Sequence, residues 1–338
     1  MQDFLIPTAL DLSAIAQDLI PDMTENRVAF QLLPLDVRNA AVIRWEQLDN
    51  FIGLQQVRGI GGQPTRVKKT GAHTFQMDPG YYGEYEDLDE QELTTRRALG
   101  QYTNGPVDLS DLVAEKQMKL LQRQYDRIEL TIWSLLAQGV FSVADPISGR
   151  ILHTDQFPIQ SFTAGTAWGT SLTAGPLADL SAIQLLQRGH SVNLGAQATA
   201  YVNRGTFNQM RTNTNPADLY GRRVAGLATA NNLGAINEIL TNDDLPAIQI
   251  YDGGYLDDNG VFQLFIPNNR CIVVGQRPAG QNVGNYVMTR NVNTPDMSPG
   301  QYSFVADNEK PPRSIQVHQG HNGGPVVYYP SAIVVMTV

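Results

Sequence analysis

The sequence has few of the features that mark enzymes, secreted proteins or membrane proteins. Its 338 residues include one cysteine, Cys271, so no disulfide can form within the chain, and the sequence suits a reducing compartment. Cys271 leads into an apolar run, and we interpret it as a small buried strand residue rather than a reactive thiol. No apolar segment is long enough to cross a membrane, and Asp3, Asp11 and Asp18 interrupt the first segment. The pattern therefore predicts neither a signal peptide nor a membrane anchor.

Positive charge is also scarce. The chain has 24 Lys and Arg against 33 Asp and Glu, which gives a net charge of -9. A protein whose main task is binding nucleic acid usually carries a net basic domain. The overall charge thus gives no support to that function, although a local basic patch stays compatible with it.

Nucleophile motifs are missing as well. No Gly-x-Ser-x-Gly elbow occurs, and Ser, Cys and His never stand in a spacing that favours nucleophilic catalysis. The acidic run GEYEDLDEQEL (83–93) crowds six carboxylates together. Catalytic carboxylates need distinct environments that separate their pKa values, so this run is more typical of a solvated face or a docking patch. The sequence predicts no catalytic residue.

Metal motifs are weak. An EF-hand loop aligned on Gly260 would need a glutamate where Ile266 stands, so that motif fails. A looser calcium-binding turn formed by Asp252, Asp257 and Asp258 remains an alternative.

His318 and His321 lie three residues apart without a third ligand nearby, and we interpret both as loop histidines in the glycine-rich stretch HQGHNGG. We expect no bound metal and no cofactor.

A stretch rich in glycine and cations, VRGIGGQPTRVKKTG (57–71), raises three chemical alternatives. A Walker A loop is absent, and a dinucleotide fingerprint would need a helix where Pro64 and TRVKK follow. Gly61, Gly62 and Gln63 match the tip of peptide release factors, but the rest of this acidic chain does not resemble them. Strand-like segments flank the stretch, AAVIRWEQL (40–48) and AHTFQM (72–77), so an exposed tip of a β-hairpin is favoured.

The strongest helix signal covers residues 107–139. Asp108 or Ser110 can cap this helix and Gly139 can end it, which gives a length of about 45 Å. Its apolar stripe comprises Leu121, Tyr125, Ile128, Ile132 and Leu135, widened by Trp133 and Leu136. So long a helix indicates a structural backbone.

The other segments predict a mixed α+β fold. A short N-terminal helix carries an apolar stripe of Leu12, Ile15, Ala16 and Leu19 and is expected to end at Pro21. A strand pair follows the long helix, Pro176 opens another helix, and residues 198–213 read as a strand followed by a helix. The last third is rich in strands, with a hairpin around DDNG (257–260) and a final strand that we expect inside a sheet.

This order of elements resembles the major capsid proteins of tailed bacteriophages, in particular the lambda-type E family, which has the coat fold of the Hong Kong phage. The resemblance covers nearly the whole chain. Its most specific part is the pair of segments LTTRRALGQY (93–102) and DRIELTIWSLLAQGVF (126–141), where the family has its long spine helix. Supporting segments are HTDQF (153–157), IYDGGYLDDNG (250–260) and FIPNNRCIVVG (265–275).

The resemblance implies a domain division. Residues 1–43 would form an N-terminal arm and 44–85 an extended β-hairpin loop that overlaps a neighbouring subunit. A peripheral domain with the spine helix would cover 86–165, and an axial domain 166–300. Residues 301–338 would be C-terminal strands that return to the peripheral domain.

It also implies a function. Copies would assemble as hexamers and pentamers into an icosahedral head, part of the virion, that is built in the host cytoplasm and encloses double-stranded DNA without reading its sequence. A separate scaffolding protein, a portal and a cement or decoration protein are the implied partners. The alternatives are another virion protein, such as a tail-tube subunit, and a β-rich hydrolase.

The candidate interface combines the cationic tip with the acidic run. As a hypothesis, the tip of one copy docks against the acidic run of another. The residues of this interface are Arg58, Gly59, Gly61, Gly62, Arg66, Lys68, Lys69, Glu84, Glu86, Asp87 and Asp89.

Overall fold

The computed structural model describes residues 4–47, 54–64, 66, 73–95, 107–144, 149–170, 173–213, 232–257, 259–276, 281–294, 297–308, 310 and 313–338. Lys68, Lys69 and Asp258 lie outside the described residues, as do residues 96–102 of the first resemblance segment.

The chain forms a mixed α+β structure, as the sequence predicted. The helices are α1 Ala9–Thr24, α2 Val28–Leu32, α3 Glu90–Thr95, α4 Ser110–Gln138, α5 Pro176–Ile183, α6 Arg204–Asn213 and α7 Leu233–Asn242. The strands are β1 Phe4–Leu5, β2 Leu35–Val37, β3 Ile43–Gln47, β4 His73–Met77, β5 Gly80–Leu88, β6 Val107–Asp108, β7 Val140–Ala144, β8 Ile151–Gln156, β9 Gln160–Thr163, β10 Thr199–Val202, β11 Ala247–Ile250, β12 Gly254–Leu256, β13 Phe262–Leu264, β14 Arg270–Val274, β15 Gly284–Met288, β16 Gln301–Asn308, β17 Ser314–Val327 and β18 Ile333–Thr337.

One compact unit comprises residues 1–43, 77–132 and 285–326. Its sheet has the order β16-β17-β15-β2, and β5 pairs with β17 on the side opposite β16. An apolar cluster joins one face of this sheet to the first half of α4. Its members include Leu88, Val113, Leu120, Ile315 and Val317.

The second unit comprises residues 44–76, 133–284 and 327–338. Its five-stranded sheet has the order β11-β10-β14-β18-β9, so the last strand of the chain lies inside the sheet, as predicted. Helices α5, α6 and α7 contribute side chains to the core of this unit, which also contains Trp168. Cys271 is fully buried on β14, which confirms its interpretation as a buried strand residue. This burial raises the pKa of its thiol to about 12.

Helix α4 follows its sequence signals closely. It begins at Ser110, and Gly139 ends it with a left-handed φ of 69°, donating from its backbone N to the carbonyl of Leu135 at 2.7 Å. Every residue of the predicted stripe is buried, including Trp133 and Leu136. Residues up to Ile132 belong to the first unit, and those from Trp133 onward belong to the second.

Other predicted elements are confirmed. β7 pairs with β8, β12 pairs with β13 around the DDNG turn, and Pro176 is the first residue of α5. β10 is followed by α6, and β3 lies next to β4, as expected for the hairpin.

The predicted end of α1 at Pro21 is wrong. The helix continues to Thr24 because Pro21 lies on an exposed turn, and its carbonyl accepts from the backbone N of Glu25 at 2.9 Å. The hydroxyl of Thr24 donates to the carbonyl of Ile20, which helps close the last turn. A proline one turn before a helix end is tolerated when only one backbone hydrogen bond is lost.

The interpretation of His318 and His321 as loop residues is also wrong. Both lie on β17, which runs unbroken through the stretch HQGHNGG. The glycines there make room for neighbouring rings: a Cβ at Gly320 would lie 2.5 Å from the hydroxyl of Tyr302. Glycine marks close packing here rather than a turn.

Candidate subunit interface

The tip of the extended loop forms a compact turn. The backbone N of Gly62 donates to the carbonyl of Gly59 at 3.0 Å, and Gly61 adopts a left-handed φ of 79°. Nη1 of Arg58 donates to the carbonyl of Gly62 at 2.9 Å, which holds the guanidinium beside the turn. The glycines thus have a backbone role in shaping the tip.

Three aliphatic side chains flank this turn, and the sequence interpretation missed their importance. Leu54, Val57 and Ile60 are 96 %, 99 % and 110 % exposed, so they are left uncovered by the other residues that the structure describes. They recur every third residue, a regularity that the sequence itself shows. An exposed apolar cluster of this kind is typical of an interaction surface.

The base of the loop is anchored in the second unit. Trp45 on β3 stacks on Phe75 of β4 and on Phe157, with ring centroids 5.6 Å and 5.7 Å away. Nε of Arg44 donates to the side-chain carbonyl of Gln76 at 3.0 Å. The two strands are therefore fixed at their base, while the tip beyond them has no such support among the described residues.

The acidic run is divided between two faces of β5. Glu84 accepts two hydrogen bonds from Arg123 at 2.6 Å and 2.9 Å, and these bonds hold the pKa of Glu84 below its usual value. Glu86 accepts from Lys119 at 2.9 Å and from Lys116 at 3.0 Å. Partial burial opposes ionisation of Glu86, but the bonds from both lysines outweigh it and lower its pKa. Both glutamates are thus already bound to basic side chains of α4.

Asp87 and Asp89 have different surroundings. Asp87 is exposed and forms no ion pair with the residues that the structure describes. Asp89 is also exposed, and its carboxylate accepts from the backbone N of Glu92 at 2.8 Å at the start of α3. Arg66 is exposed too. The sequence interpretation treated the run as one acidic patch. In a strand, successive side chains point to opposite faces, and this separates Glu86 from Asp87.

His321 is buried among aromatic side chains of the first unit. Its ring stacks on Tyr82 with centroids 5.0 Å apart, and its Nε2 lies 3.0 Å from the hydroxyl of Tyr286. Burial lowers the pKa of His321 to about 3. A histidine held neutral in a closed packing arrangement serves the fold rather than binding a metal.

The described part of the chain contains no group of three His, Cys, Asp or Glu side chains that could hold a metal ion. Within the same residues, no helix combines the length and the apolar character needed to cross a membrane.

Two solved phage-related proteins have the same fold as this chain. A prophage protein of E. coli CFT073, described as a capsid protein, superposes with a TM-score of 0.63 at 13% identity and 99% coverage of both chains. A phage-related protein from Bordetella bronchiseptica RB50 gives a TM-score of 0.53 at 10% identity, over 97% of this chain and 96% of that one. Both show the same fold, the coat fold of the Hong Kong phage. No curated protein matches the chain by sequence.

The sequence profile of one family covers most of the chain. It is described as Phage major capsid protein E and matches residues 37–338. This match includes the extended loop, α4 and both sheets. The chain belongs to the phage major capsid protein E family: it is a structural protein of the virion, the self-assembling major subunit of a tailed-phage icosahedral head.

Proposed function

We propose that copies of this chain form hexamers and pentamers, and that these close the head around double-stranded DNA. The observation that carries the proposal is the exposed aliphatic tip formed by Leu54, Val57 and Ile60. Such side chains are stabilised only when another surface covers them, and a shell supplies the same neighbouring surface to every copy.

The tip is the proposed contact with the neighbour. Burying one aliphatic side chain is worth about 1.5–3 kcal/mol, so three of them outweigh an exposed ion pair, which is worth about 0–1 kcal/mol. The aliphatic side chains therefore supply most of the contact energy. Arg58, Arg66, Lys68 and Lys69 add orientation toward an acidic surface of the next copy, since charge complementarity favours correct docking.

The acidic surface contains two kinds of carboxylate. Glu84 and Glu86 are bound to α4 by their ion pairs, whereas Asp87 and Asp89 are exposed. A docking cation would compete with Arg123 for Glu84 but not for Asp87. The exposed aspartates are the better acceptors within the proposed interface.

The net charge of -9 fits a container for DNA. Binding of DNA by counterion release needs Lys and Arg on the phosphate backbone, and an acidic wall does not hold the genome in that way. We propose that the DNA is enclosed without sequence-specific contacts.

The finer assignments of domains and partners belong to the same proposal. Residues 44–85 would overlap a neighbour, 86–165 with 301–338 would form the peripheral domain, and 166–300 would meet their copies around the symmetry axes. A scaffolding protein, a portal and a decoration protein would complete the head, with assembly in the host cytoplasm.

Electron microscopy of the purified full chain tests this function. We expect closed shells from the unmodified chain and loss of shells when Val57 and Ile60 are both changed to Asp, with an unchanged melting temperature. Leu152→Asp is the matched control, because Leu152 is an exposed aliphatic residue on β8, and it should assemble normally. Tubes or stacked rings from the unmodified chain would support a tail-tube function instead.

A further inference from the structure

The dipeptide Asn-Gly is a chemically reactive pair that the chain contains three times, as Asn104–Gly105, Asn259–Gly260 and Asn322–Gly323. In such a pair the backbone N of the glycine can attack the side-chain amide of the asparagine, because glycine has no Cβ to obstruct the approach and its backbone turns freely. The first pair lies outside the described residues, and the other two lie in opposite surroundings. The fold therefore decides which of these two pairs reacts.

Asn259 and Gly260 lie at the tip of the hairpin between β12 and β13. The backbone N of Asp257 donates to the carbonyl of Val261 at 3.0 Å, and this bond closes the loop. Gly260 adopts a left-handed φ of 74°, and its backbone N donates to the carbonyl of Asp257 at 2.8 Å. A left-handed glycine that ends a short hairpin loop is typical of such turns.

This tip is open to solvent. Asn259 and Gly260 are both exposed, and a Cβ at Gly260 would meet no atom within 4 Å apart from its chain neighbours. The carboxylate of Asp257 accepts from the backbone N of Asn259 at 3.0 Å and from that of Val261 at 2.8 Å. These bonds hold the base of the loop without using the Asn259 amide. Opening the single bond from Gly260 to Asp257 frees the attacking N.

The pair Asn322–Gly323 is held on all sides within β17. Nδ2 of Asn322 donates to the carbonyl of Arg290 at 2.8 Å, and its Oδ1 accepts from the side-chain N of Asn291 at 3.3 Å. Gly323 is buried, and a Cβ there would lie 2.6 Å from the carbonyl oxygen of Val287. The amide and the backbone of this pair are thus fixed, and ring closure would require the strand to open.

We propose that Asn259 is a site of spontaneous deamidation, selected by the fold over Asn322, with water as the co-reactant. The backbone N of Gly260 forms a bond to Cγ of Asn259 while the bond from Cγ to Nδ2 breaks. Ammonia leaves with the proton of that backbone N, and a five-membered imide remains.

Water then opens the imide at one of its two carbonyl carbons. Opening at Cγ gives aspartate, and opening at the main-chain carbonyl carbon gives isoaspartate. The overall change converts an amide and water into a carboxylic acid and ammonia, and nothing is oxidised or reduced.

The product changes an exposed part of the second unit. Aspartate and isoaspartate each add one negative charge beside Asp257. Isoaspartate also inserts a methylene into the main chain between residues 259 and 260, so the turn bond from Gly260 to Asp257 loses its spacing. The strands and loop of this hairpin carry exposed apolar side chains at Leu256, Val261 and Phe262. The reaction needs no second copy of the chain, so it is independent of the proposed head.

Peptide mapping by mass spectrometry tests the proposal. The purified full chain is held for days in neutral buffer made with water that carries heavy oxygen. Heavy oxygen enters only amides that are hydrolysed during this incubation, so losses during the later digestion are told apart. We expect the peptide with residue 259 to become a heavy acid in most chains, with isoaspartate among the products. The peptide with residue 322 should keep its amide.

A sample in denaturant supplies the control for the fold. Both pairs have the same dipeptide, so Asn259 and Asn322 should be converted at similar rates once the chain is unfolded. The difference between the two sites should therefore appear only in the folded chain.

Two variants test the chemistry at the tip. Asn259→Gln keeps an amide but must close a larger ring, and Gly260→Asn keeps a residue that tolerates a left-handed φ while adding a side chain beside the attacking N. Both should abolish conversion at residue 259 without changing the melting temperature.

Three results would overturn the proposal. The first is equal conversion of Asn259 and Asn322 in the folded chain, and the second is retention of both amides there while the unfolded chain loses them. The third is undiminished conversion at residue 259 in Gly260→Asn.

Discussion

Helix α4 and the tip of the extended loop show opposite relations between sequence and burial. The stripe of α4, from Leu121 to Leu136, is buried by its own chain. At the tip, the aliphatic side chains of Leu54, Val57 and Ile60 are almost completely exposed. Apolar side chains are thus buried within the chain in one region and left uncovered in the other.

The difference shows where each region is stabilised. Folding of the single chain buries the apolar stripe of α4, so the side chains of this stripe contribute to the free energy of unfolding of that chain. The tip contributes nothing to that free energy and becomes stabilising only in the assembly. Mutations in the two regions should therefore affect different measurements.

The largest expected effect is on the helix. Trp133 is fully buried and packs against Tyr201 and Tyr251, with ring centroids 5.7 Å and 5.2 Å away. Trp133→Ala should lower the free energy of unfolding by about 3–5 kcal/mol, because it removes a large buried side chain. Chemical denaturation followed by circular dichroism measures it.

The matched change at the tip is Ile60→Ala. It should alter the free energy of unfolding by less than about 0.5 kcal/mol, since an exposed side chain has no partner to lose. Equal destabilisation by the two substitutions would remove the contrast between the regions.

A smaller effect concerns pH. The pKa of His321 falls from 6.5 in the unfolded chain to about 3 in the folded one. Between these values the unfolded chain binds a proton that the folded chain does not, so stability falls as the pH falls through this window. The loss should reach about 2 kcal/mol between pH 7 and pH 5, and His321→Gln should abolish it.

His318→Gln is the comparison for that experiment. Burial also lowers the pKa of His318, against the opposing charge of Asp87, but the side chain is only partly buried. Its replacement should change the pH dependence less than His321→Gln does. The reverse order would show that the packing around Tyr82 and Tyr286 does not keep His321 neutral.

The smallest effect on stability is expected at the tip lysines. Changing Lys68 and Lys69 together to Glu should leave the melting temperature nearly unchanged. Assembly should fail or require high salt, because salt screens the new repulsion against the neighbouring acids. Lys310, an exposed lysine outside the loop, supplies the control substitution Lys310→Glu. Normal shells with an unaltered salt response would exclude a docking role for the tip charges.

The sequence predicted best the elements whose partners lie in the same chain. The period of Leu121, Tyr125 and Ile128 predicted a buried face, and Gly139 predicted the helix end. Both are confirmed because local geometry and burial impose the same pattern.

Failures arose where distant packing decides the structure. Gly320 was read as part of a loop, but it lies in a strand beneath the ring of Tyr302, a contact that no local pattern records. Glu84 and Glu86 were read with Asp87 as one acidic patch, although pairing with α4 occupies the two glutamates.

The most direct test of the contrast is the accessibility of the tip before and after assembly. A chain with Ile60→Cys is treated with a thiol-specific reagent, as free subunits and as shells, beside a chain with Val261→Cys, an exposed residue outside the loop. We predict rapid labelling of both cysteines in free subunits and strong protection of residue 60 alone in shells. Equal labelling of residue 60 in subunits and shells would contradict the conclusion that a neighbouring copy covers the tip.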